Sequence, residues 1–457
     1  MHTSDQFNER LQLLKKYDVP CPRYTSYPTV PYWEDEPSTD EWIDSVKSAL
    51  TLPDASYGIY IHIPFCETLC TYCGCNNTIT KNHDKELPYV DTLLREWQMY
   101  LERVPMLAEV PLKQVHLGGG TPTFLSPSHL KKLVQGISQI TNIDLNDFEG
   151  AIEVDPRRTS EEQLSTLREL GFNRISLGVQ DFDPDVQQMV RRIQPFEQTK
   201  TLTETARKLG YDSVNFDLIY GLPGQTIESI TKSAELTASL RPDRIALYSL
   251  AIVPWIKPAQ RSFKDEDLPQ GNDKRALYDQ AKQVLLSAGY KEIGMDHFAL
   301  ADDALFKAYD EQKLHRNFMG YTDQRADVLI GLGVSAISES PTCFHQNEKV
   351  LPVYERRVNE QRELPTLRGH LLNGEDRLIR EQILAFMTRF QVELNGDQEA
   401  DYKQYLQQMI DDKLVTVANN TLTLTEKGRP FLRNACMALD KRMRQSHPQD
   451  QVFSKSL

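Results

Sequence analysis

The chain has 457 residues, 40 % of them hydrophobic, enough for a substantial core spread over two or three domains. A net charge of −13 argues against a nucleic-acid polyanion as partner, and no apolar stretch approaches the ~20 residues needed to span a bilayer. Seven cysteines, four of them between positions 66 and 75, do not make a disulfide framework, and the opening Met1-His2-Thr3-Ser4-Asp5-Gln6 lacks the basic-then-apolar layout of a signal peptide, so the expectation is a soluble, reduced, cytoplasmic protein.

Residues 1–50 precede the first strand. Within them Pro22-Arg23-Tyr24-Thr25-Ser26-Tyr27-Pro28-Thr29 is polar and aromatic, either a plain strap or a lid that supplies Arg23 to an anionic substrate. Cys21, like Cys343 and Cys436 further on, reads as a small buried hydrophobe. Residues 51–272 then alternate short β-rich runs with longer helical patterns. The runs are 58–64, 114–118, 151–155, 174–179, 214–220 and 244–250. Amphipathic stretches such as Glu161–Leu170 and Thr201–Leu209 lie between them and close on Gly171 and Gly210, where helix C-caps belong. Six such units predict parallel strands with right-handed crossovers, nearly continuous in apolar residues because both faces are buried. Six are too few for an eight-fold barrel. The expected fold is an α/β, partial (β/α)6 TIM-like barrel, open on one side, with reactive groups at the C-terminal strand ends.

The first strand leads into the densest chemistry. Cys66, Cys70 and Cys73 have the spacing C-x3-C-x2-C. Three thiolates can hold three corners of a 4Fe-4S cluster and leave one iron open. Zinc is the competing reading, with Cys75 as fourth ligand, but it would crowd all four ligands into one tight loop, where structural zinc sites usually draw on two separated pairs. Tyr60 and Tyr72 flank the loop, as packing or as aromatic cover for a ligand ring. His62 reads as a satisfied core histidine. After the second run, Gly118-Gly119-Gly120-Thr121-Pro122-Thr123 is either a flexible turn or bare backbone open to the polar end of a ligand. Glu153 and Asp217 are carboxylates in otherwise apolar runs and need partners. For Glu153 these are a ligand hydroxyl or amine, or a structural pair with Arg174 or Arg157. Gln180 ends the fourth run, and Arg192 either reaches the same pocket or is an ordinary surface residue.

Pro254, Pro258, Pro269 and the charged run Lys264-Asp265-Glu266-Asp267 mark a boundary over 252–272. Residues 273–369 open with a helix through Ala288. Two loop-like stretches follow, Gly294–Phe298 and Leu314–Thr322, the second carrying His315 and Arg316 as further anion contacts. This segment is expected to cover the open barrel. Residues 370–457 read as a mostly helical, winged-helix-like domain whose alternating stretch Leu414–Leu424 turns at Asn419-Asn420. Its acidic and basic side chains balance, and the lack of a basic excess argues against DNA binding.

The cysteine loop after a first strand resembles the radical S-adenosyl-L-methionine (SAM) superfamily. Together with Arg23–Thr29, the extra Cys75, Gly118–Thr123, Glu153–Pro156, Gly178–Phe182, Asp217–Pro223, Gly294–Phe298 and Leu314–Thr322, the chain is similar from about residue 20 onward to the oxygen-independent coproporphyrinogen III oxidases of haem biosynthesis. The resemblance implies a cluster on Cys66, Cys70 and Cys73 whose open iron chelates SAM. It implies a 5′-deoxyadenosyl radical that removes hydrogen from a propionate of coproporphyrinogen III, and loss of carbon dioxide to leave a vinyl group. By motif, Tyr60, Gly120, Thr121, Glu153, Gln180, Arg192 and Asp217 match SAM contacts, and Tyr72, Ala251 and Ile337 match contacts to a second SAM that the family can hold. It further implies an electron donor of flavodoxin or ferredoxin type and a monomer. Three positions depart from the family pattern: Tyr72 replaces the usual Phe, Met319 a Gln, and Ile252 a His. Two rivals compete, a related haem chaperone without decarboxylase activity, which typically lacks the Arg23–Thr29 strap and a Cys75 equivalent, and a zinc-stabilised scaffold.

Overall fold

The computed structural model of the chain describes residues 2–396, 398–445 and 453–455. Six parallel strands lie side by side in chain order: β1 (Tyr57–Ile63), β2 (Leu112–Gly119), β3 (Glu149–Val154), β4 (Phe172–Gln180), β5 (Ser213–Tyr220) and β6 (Arg244–Ser249). They coincide with the six runs read from the sequence, but their faces differ from the expectation. The strands alternate rather than running apolar throughout. On β1, Tyr57, Ile59, Ile61 and Ile63 are wholly buried in the main core, and with a period of two the intervening residues face the other side. On that inner side stand Gln114, His116, Glu149, Glu153, Ser176, Asn215 and Asp217, which line a cavity. The interior of the barrel is therefore polar, and the apolar face lies outward under the helices.

The helices sit where the glycines predict their ends. Glu161–Glu169 starts from a Ser160/Gln163 capping box, packs Leu164 and Leu167 into the core, and is followed by Gly171 at φ +93°. The helix expected over Thr201–Leu209 begins earlier, at Phe196 directly after Pro195, and runs to Lys208. Gly210 after it has φ +84°.

Six further strands extend this sheet at both edges: β7 (Lys291–Ile293), β8 (His297–Ala299), β9 (Val328–Leu332), β10 (Ile337–Glu339), β11 (Cys343–Asn347) and β12 (Thr366–Leu371). The order across the twelve strands is β12-β11-β10-β9-β1-β2-β3-β4-β5-β6-β8-β7. β9 runs parallel to β1, in register from Tyr57↔Val328 to Ile61↔Leu332, and makes a seventh parallel strand. The remaining pairs of this sheet are antiparallel. The stretches read as loop-like thus contain short strands. His297–Ala299 pairs with Lys291–Ile293, and His315–Asn317 forms a hairpin with Gly320–Thr322. Three-residue strands are too short to show a period, and Gly294 and Gly320 dominate the local pattern.

A buried carboxylate ties β9–β11 to the barrel. Glu96, on the helix Glu86–Arg103, is fully buried and accepts hydrogen bonds from Gly333 N–H (2.9 Å), the Tyr354 hydroxyl (2.6 Å) and Asn347 Nδ2 (2.6 Å). Burial pushes its carboxyl up to about 7 despite these donors.

The two ends of the chain share a second core. Leu13, Leu14, Tyr17, Cys21, Tyr24 and Tyr27 pack with Ile379, Phe386, Leu406, Leu422 and Cys436. The C-terminal part comprises the helices Gly374–Arg389 and Gln398–Asp411 and a three-stranded antiparallel sheet of Gln391–Glu393, Val415–Ala418 and Thr421–Leu424. Its hairpin turns at Asn419 and Asn420, both at positive φ (+52° and +55°), which matches the twist of the flanking strands. Cys21, Cys343 and Cys436 are free and buried, as expected. Among the described residues no helix is long and apolar enough to cross a membrane.

Candidate active site

A cavity of about 520 Å³ occupies the barrel interior, with the cysteine loop at one end. Cys66, Cys70 and Cys73 all line it, as do Tyr72, Gly120, Thr121, Glu153, Gln180, Arg192, Asp217, Ala251 and Arg23. Tyr60, Ile337 and Arg316 do not. Tyr60 stacks on His116 just behind the lining, and its hydroxyl lies 3.1 Å from His62 Nδ1. Ile337 packs beside Trp33, Phe344 and Leu372. Arg316 is buried, donates from Nη1 to the Tyr24 carbonyl (2.6 Å) and stacks over Tyr321. It joins the strap to the hairpin rather than facing the cavity.

The glycine run owes its composition to backbone packing. Gly120 N–H donates to Ile63 O (2.8 Å), and a Cβ at Gly120 would meet Pro64 O at 2.7 Å and Phe65 O at 2.9 Å. Gly119 has φ +116°, and its Cβ would meet Ile63 O at 2.8 Å. Only glycine lets the end of β2 press against the backbone that launches the cysteine loop.

Each cysteine of the C-x3-C-x2-C motif has its own polar neighbour. Cys66 Sγ lies 3.4 Å from the Thr121 hydroxyl, and Asn77 Nδ2 donates to Cys73 Sγ (3.4 Å). Cys70 Sγ receives Nη2 of Arg157 and Nη1 of Arg192, each at 3.6 Å. Hydrogen bonding from Cys75 draws the Cys73 thiol down to about 6, while burial pushes Cys66 up to about 11. Among the described residues no three His, Cys, Asp or Glu side chains converge on a single ion. An all-thiolate set spread around one end of a cavity suits an iron–sulfur cluster. Arg192 Nε, buried in the cavity wall without a hydrogen-bond partner, is a donor that suits a bound ligand.

The carboxylates resolve differently from either structural pairing considered for Glu153. Arg174 pairs with Glu149, and Arg157 with Asp155 (2.6 Å). Glu153 instead meets His116 Nε2 (3.0 Å) and Gly119 N–H (3.4 Å), and 44 % of its side chain stays accessible from the cavity. Burial raises its carboxyl, but His116 and the amide more than offset that and hold it below the ordinary range. Asp217 accepts from the Ser176 hydroxyl (2.7 Å) and Asn215 Nδ2 (3.0 Å), and burial lifts it to about 6. Gln180 reaches the cavity from a left-handed backbone, φ +69°, uncommon for a residue with a side chain. His62 is a satisfied core histidine, its Nε2 2.8 Å from Asn76 O.

Arg23 donates to Ser249 O (2.7 Å) from the strap and closes one side of the cavity. Of the departures from the family pattern, Met319 lines the cavity, whereas Ile252 packs with Tyr72 against Val186, Val190, Leu222 and Leu250. Sequence reasoning missed Asn77, Tyr248 and His297 as cavity residues and read Arg157 only as a structural partner. His297 had a signal, since it belongs to Gly294–Phe298, but loop-like surroundings hid that its ring stands between Tyr248 and Tyr321 with Nδ1 2.7 Å from Asp296 Oδ1.

The model of the radical SAM superfamily matches residues 60–237, the stretch that holds the cysteine loop and most of the cavity wall. Over 451 residues, 96 % of this chain and 97 % of the relative, the chain is 39 % identical to the oxygen-independent coproporphyrinogen III oxidase of Escherichia coli (strain K12). The chain belongs to the oxygen-independent coproporphyrinogen III oxidase family. The Pseudomonas aeruginosa oxidase is 37 % identical over 94 % of this chain and 95 % of the relative. The solved structure of the Escherichia coli coproporphyrinogen III oxidase, described as a radical SAM enzyme, matches with a TM-score of 0.86 at 39 % identity, covering 92 % of this chain and 97 % of that one. The superfamily's cofactors are a 4Fe-4S cluster and SAM, and the thiol set and the partnerless Arg192 Nε fit them.

Proposed function

We propose that the chain oxidatively decarboxylates two propionate side chains of coproporphyrinogen III to vinyl groups, giving protoporphyrinogen IX in anaerobic haem biosynthesis. The observation that carries this is the joining of three thiols to one polar cavity in a chain that aligns end to end with oxidases of this reaction.

Cys66, Cys70 and Cys73 hold the cluster in this reading. Gly120, Thr121, Glu153, Gln180, Arg192 and Asp217 hold SAM, with Tyr60 backing the wall. When bound, the cluster and SAM supply the one-electron chemistry that starts hydrogen removal from a propionate. The protein orients the reactants and excludes water. Asp217 and Glu153 offer carboxylate oxygens to polar hydrogens of the ligand, and Arg192 offers its partnerless Nε to an acceptor. Arg23 faces a carboxylate of the substrate from the strap side. Tyr72, Ala251 and Met319 form wall shared by substrate and any second SAM. A low-potential carrier of flavodoxin or ferredoxin type supplies the electron. The protein works as a monomer in the cytoplasm, a setting that seven free thiols suit.

The test is anaerobic turnover of the reconstituted protein with a reductant, SAM and coproporphyrinogen III. The expected products are 5′-deoxyadenosine, a tricarboxylic intermediate and protoporphyrinogen IX. Deoxyadenosine without decarboxylation in fully loaded protein would refute the assignment.

A further inference from the structure

The three motif thiols are not treated alike. Cys66 meets the neutral Thr121 hydroxyl and Cys73 the neutral Asn77 amide, each at 3.4 Å, with the Cys75 thiol also beside Cys73. Cys70 alone faces two guanidinium groups, Arg157 and Arg192, both at 3.6 Å. One carboxylate organises both cations. Asp155 Oδ2 takes Nη2 of Arg157 at 2.6 Å and Nη1 of Arg192 at 3.3 Å, and Oδ1 takes Nε of Arg157 at 2.9 Å. The turn after β3 fixes this clamp, because Arg157 N–H also donates to Asp155 Oδ1 (3.0 Å) and the Thr159 hydroxyl to Asp155 O (2.8 Å). Arg192 is held from the far side by Gly178 O (2.6 Å).

The side chains of Arg157, Arg192 and Asp155 are 13 %, 8 % and 9 % exposed, so salt and solvent screen them weakly. One carboxylate against two guanidiniums leaves a net positive charge beside Cys70. Hydrogen bonds to cluster sulfurs and nearby charge both set reduction potential. Reduction adds one negative charge to a cluster, so cationic N–H donors favour the reduced state over the oxidised one.

We propose that Arg157, positioned by Asp155 alongside Arg192, raises the reduction potential of the cluster through Cys70. Its role is electronic, distinct from any contact with substrate. This rests on the cluster assignment above. If Arg157 only neutralises Asp155 or braces Thr68 (3.5 Å), its loss changes loop order and cluster occupancy but not potential.

The experiment compares wild type, Arg157→Gln and Arg157→Lys after anaerobic reconstitution, without SAM. Iron and sulfide per chain are measured, and the reduced signal is followed by electron paramagnetic resonance against solution potential. The glutamine variant is expected to lower the reduced-to-oxidised ratio at fixed potential about tenfold, a midpoint shift of about 59 mV to the negative for one electron. The lysine variant, which keeps the charge on a shorter reach, is expected to fall between. An unchanged midpoint in loaded glutamine variant overturns the proposal. Should that variant load poorly, the neutral Arg157→Met takes its place, and an unchanged midpoint there overturns the proposal equally. Wild-type protein that takes up no four-iron cluster would overturn the cofactor reading itself, a separate result visible in the iron and sulfide content.

Discussion

Replacing Glu96 by glutamine should remove a pH dependence from the stability of the barrel. Glu96 is fully buried on the helix Glu86–Arg103 and joins it to Gly333, Asn347 and Tyr354. Burial lifts its carboxyl from the ordinary 4.5 to about 7. A shift of that size disfavours the ionised form by about 3 kcal/mol. The sign follows from linkage. The folded value lies above the unfolded one, so the contribution is fully present below about 4.5 and is lost as pH rises through about 7. Roughly 2 kcal/mol of it should disappear between about pH 5.5 and about pH 8. The assay is urea denaturation of the metal-free protein at both pH values, followed by the fluorescence of the buried Trp42 and Trp97. Other groups titrate in the same window, so the informative quantity is the difference between wild type and Glu96→Gln. Between pH 5.5 and pH 8 wild type should lose about 2 kcal/mol of stability relative to the variant, whose neutral amide does not titrate. A gap that does not change with pH would show that the three donors already keep Glu96 ionised, and would refute the reasoning.

Cys70→Ala should lose iron and turnover together, whereas Cys75→Ala should keep its iron. Loss of iron from the Cys75 variant would make that residue a ligand. Asp217, lifted to about 6, ionises as pH rises through that value. SAM affinity measured by anaerobic calorimetry should therefore strengthen from pH 5 to pH 7 in wild type and stay level in Asp217→Asn, and matching profiles would remove Asp217 from the site. Arg316→Met releases the Tyr24 carbonyl and should weaken the hold on the strap by about 1.5–3 kcal/mol. Trypsin should then cut after Arg23 faster than in wild type, and an equal rate would mean the strap is held elsewhere.

What was legible in the sequence is what lies close together along it. Cys66, Cys70 and Cys73 announce their chemistry within one loop, and Gly118–Thr123 within one turn. The partners of Glu153 were not legible, because His116 belongs to the neighbouring strand and meets it only through the register His116↔Ala151. The glycines stood out, but their reason is a three-dimensional contact with Pro64 and Phe65. Arg157 sits two residues from Asp155, yet nothing in the spacing shows that its far end reaches Cys70. β9 was invisible for another reason. Val328–Leu332 is a short apolar run, which periodicity cannot tell from a piece of buried helix.

That seventh parallel strand has a consequence for how the protein is made. β1 pairs with β2 early in synthesis, but its other edge waits for Val328–Leu332, more than half the chain away. Until then the strand that leads into the cysteine loop carries an open row of amides and carbonyls, prone to pair with other chains. Contacts so distant in sequence form slowly. Metal loading of a rigid loop thus belongs after Val328–Leu332 has been made and has joined β1, and a chain truncated before residue 328 should collect as aggregate rather than as a half-barrel holding iron.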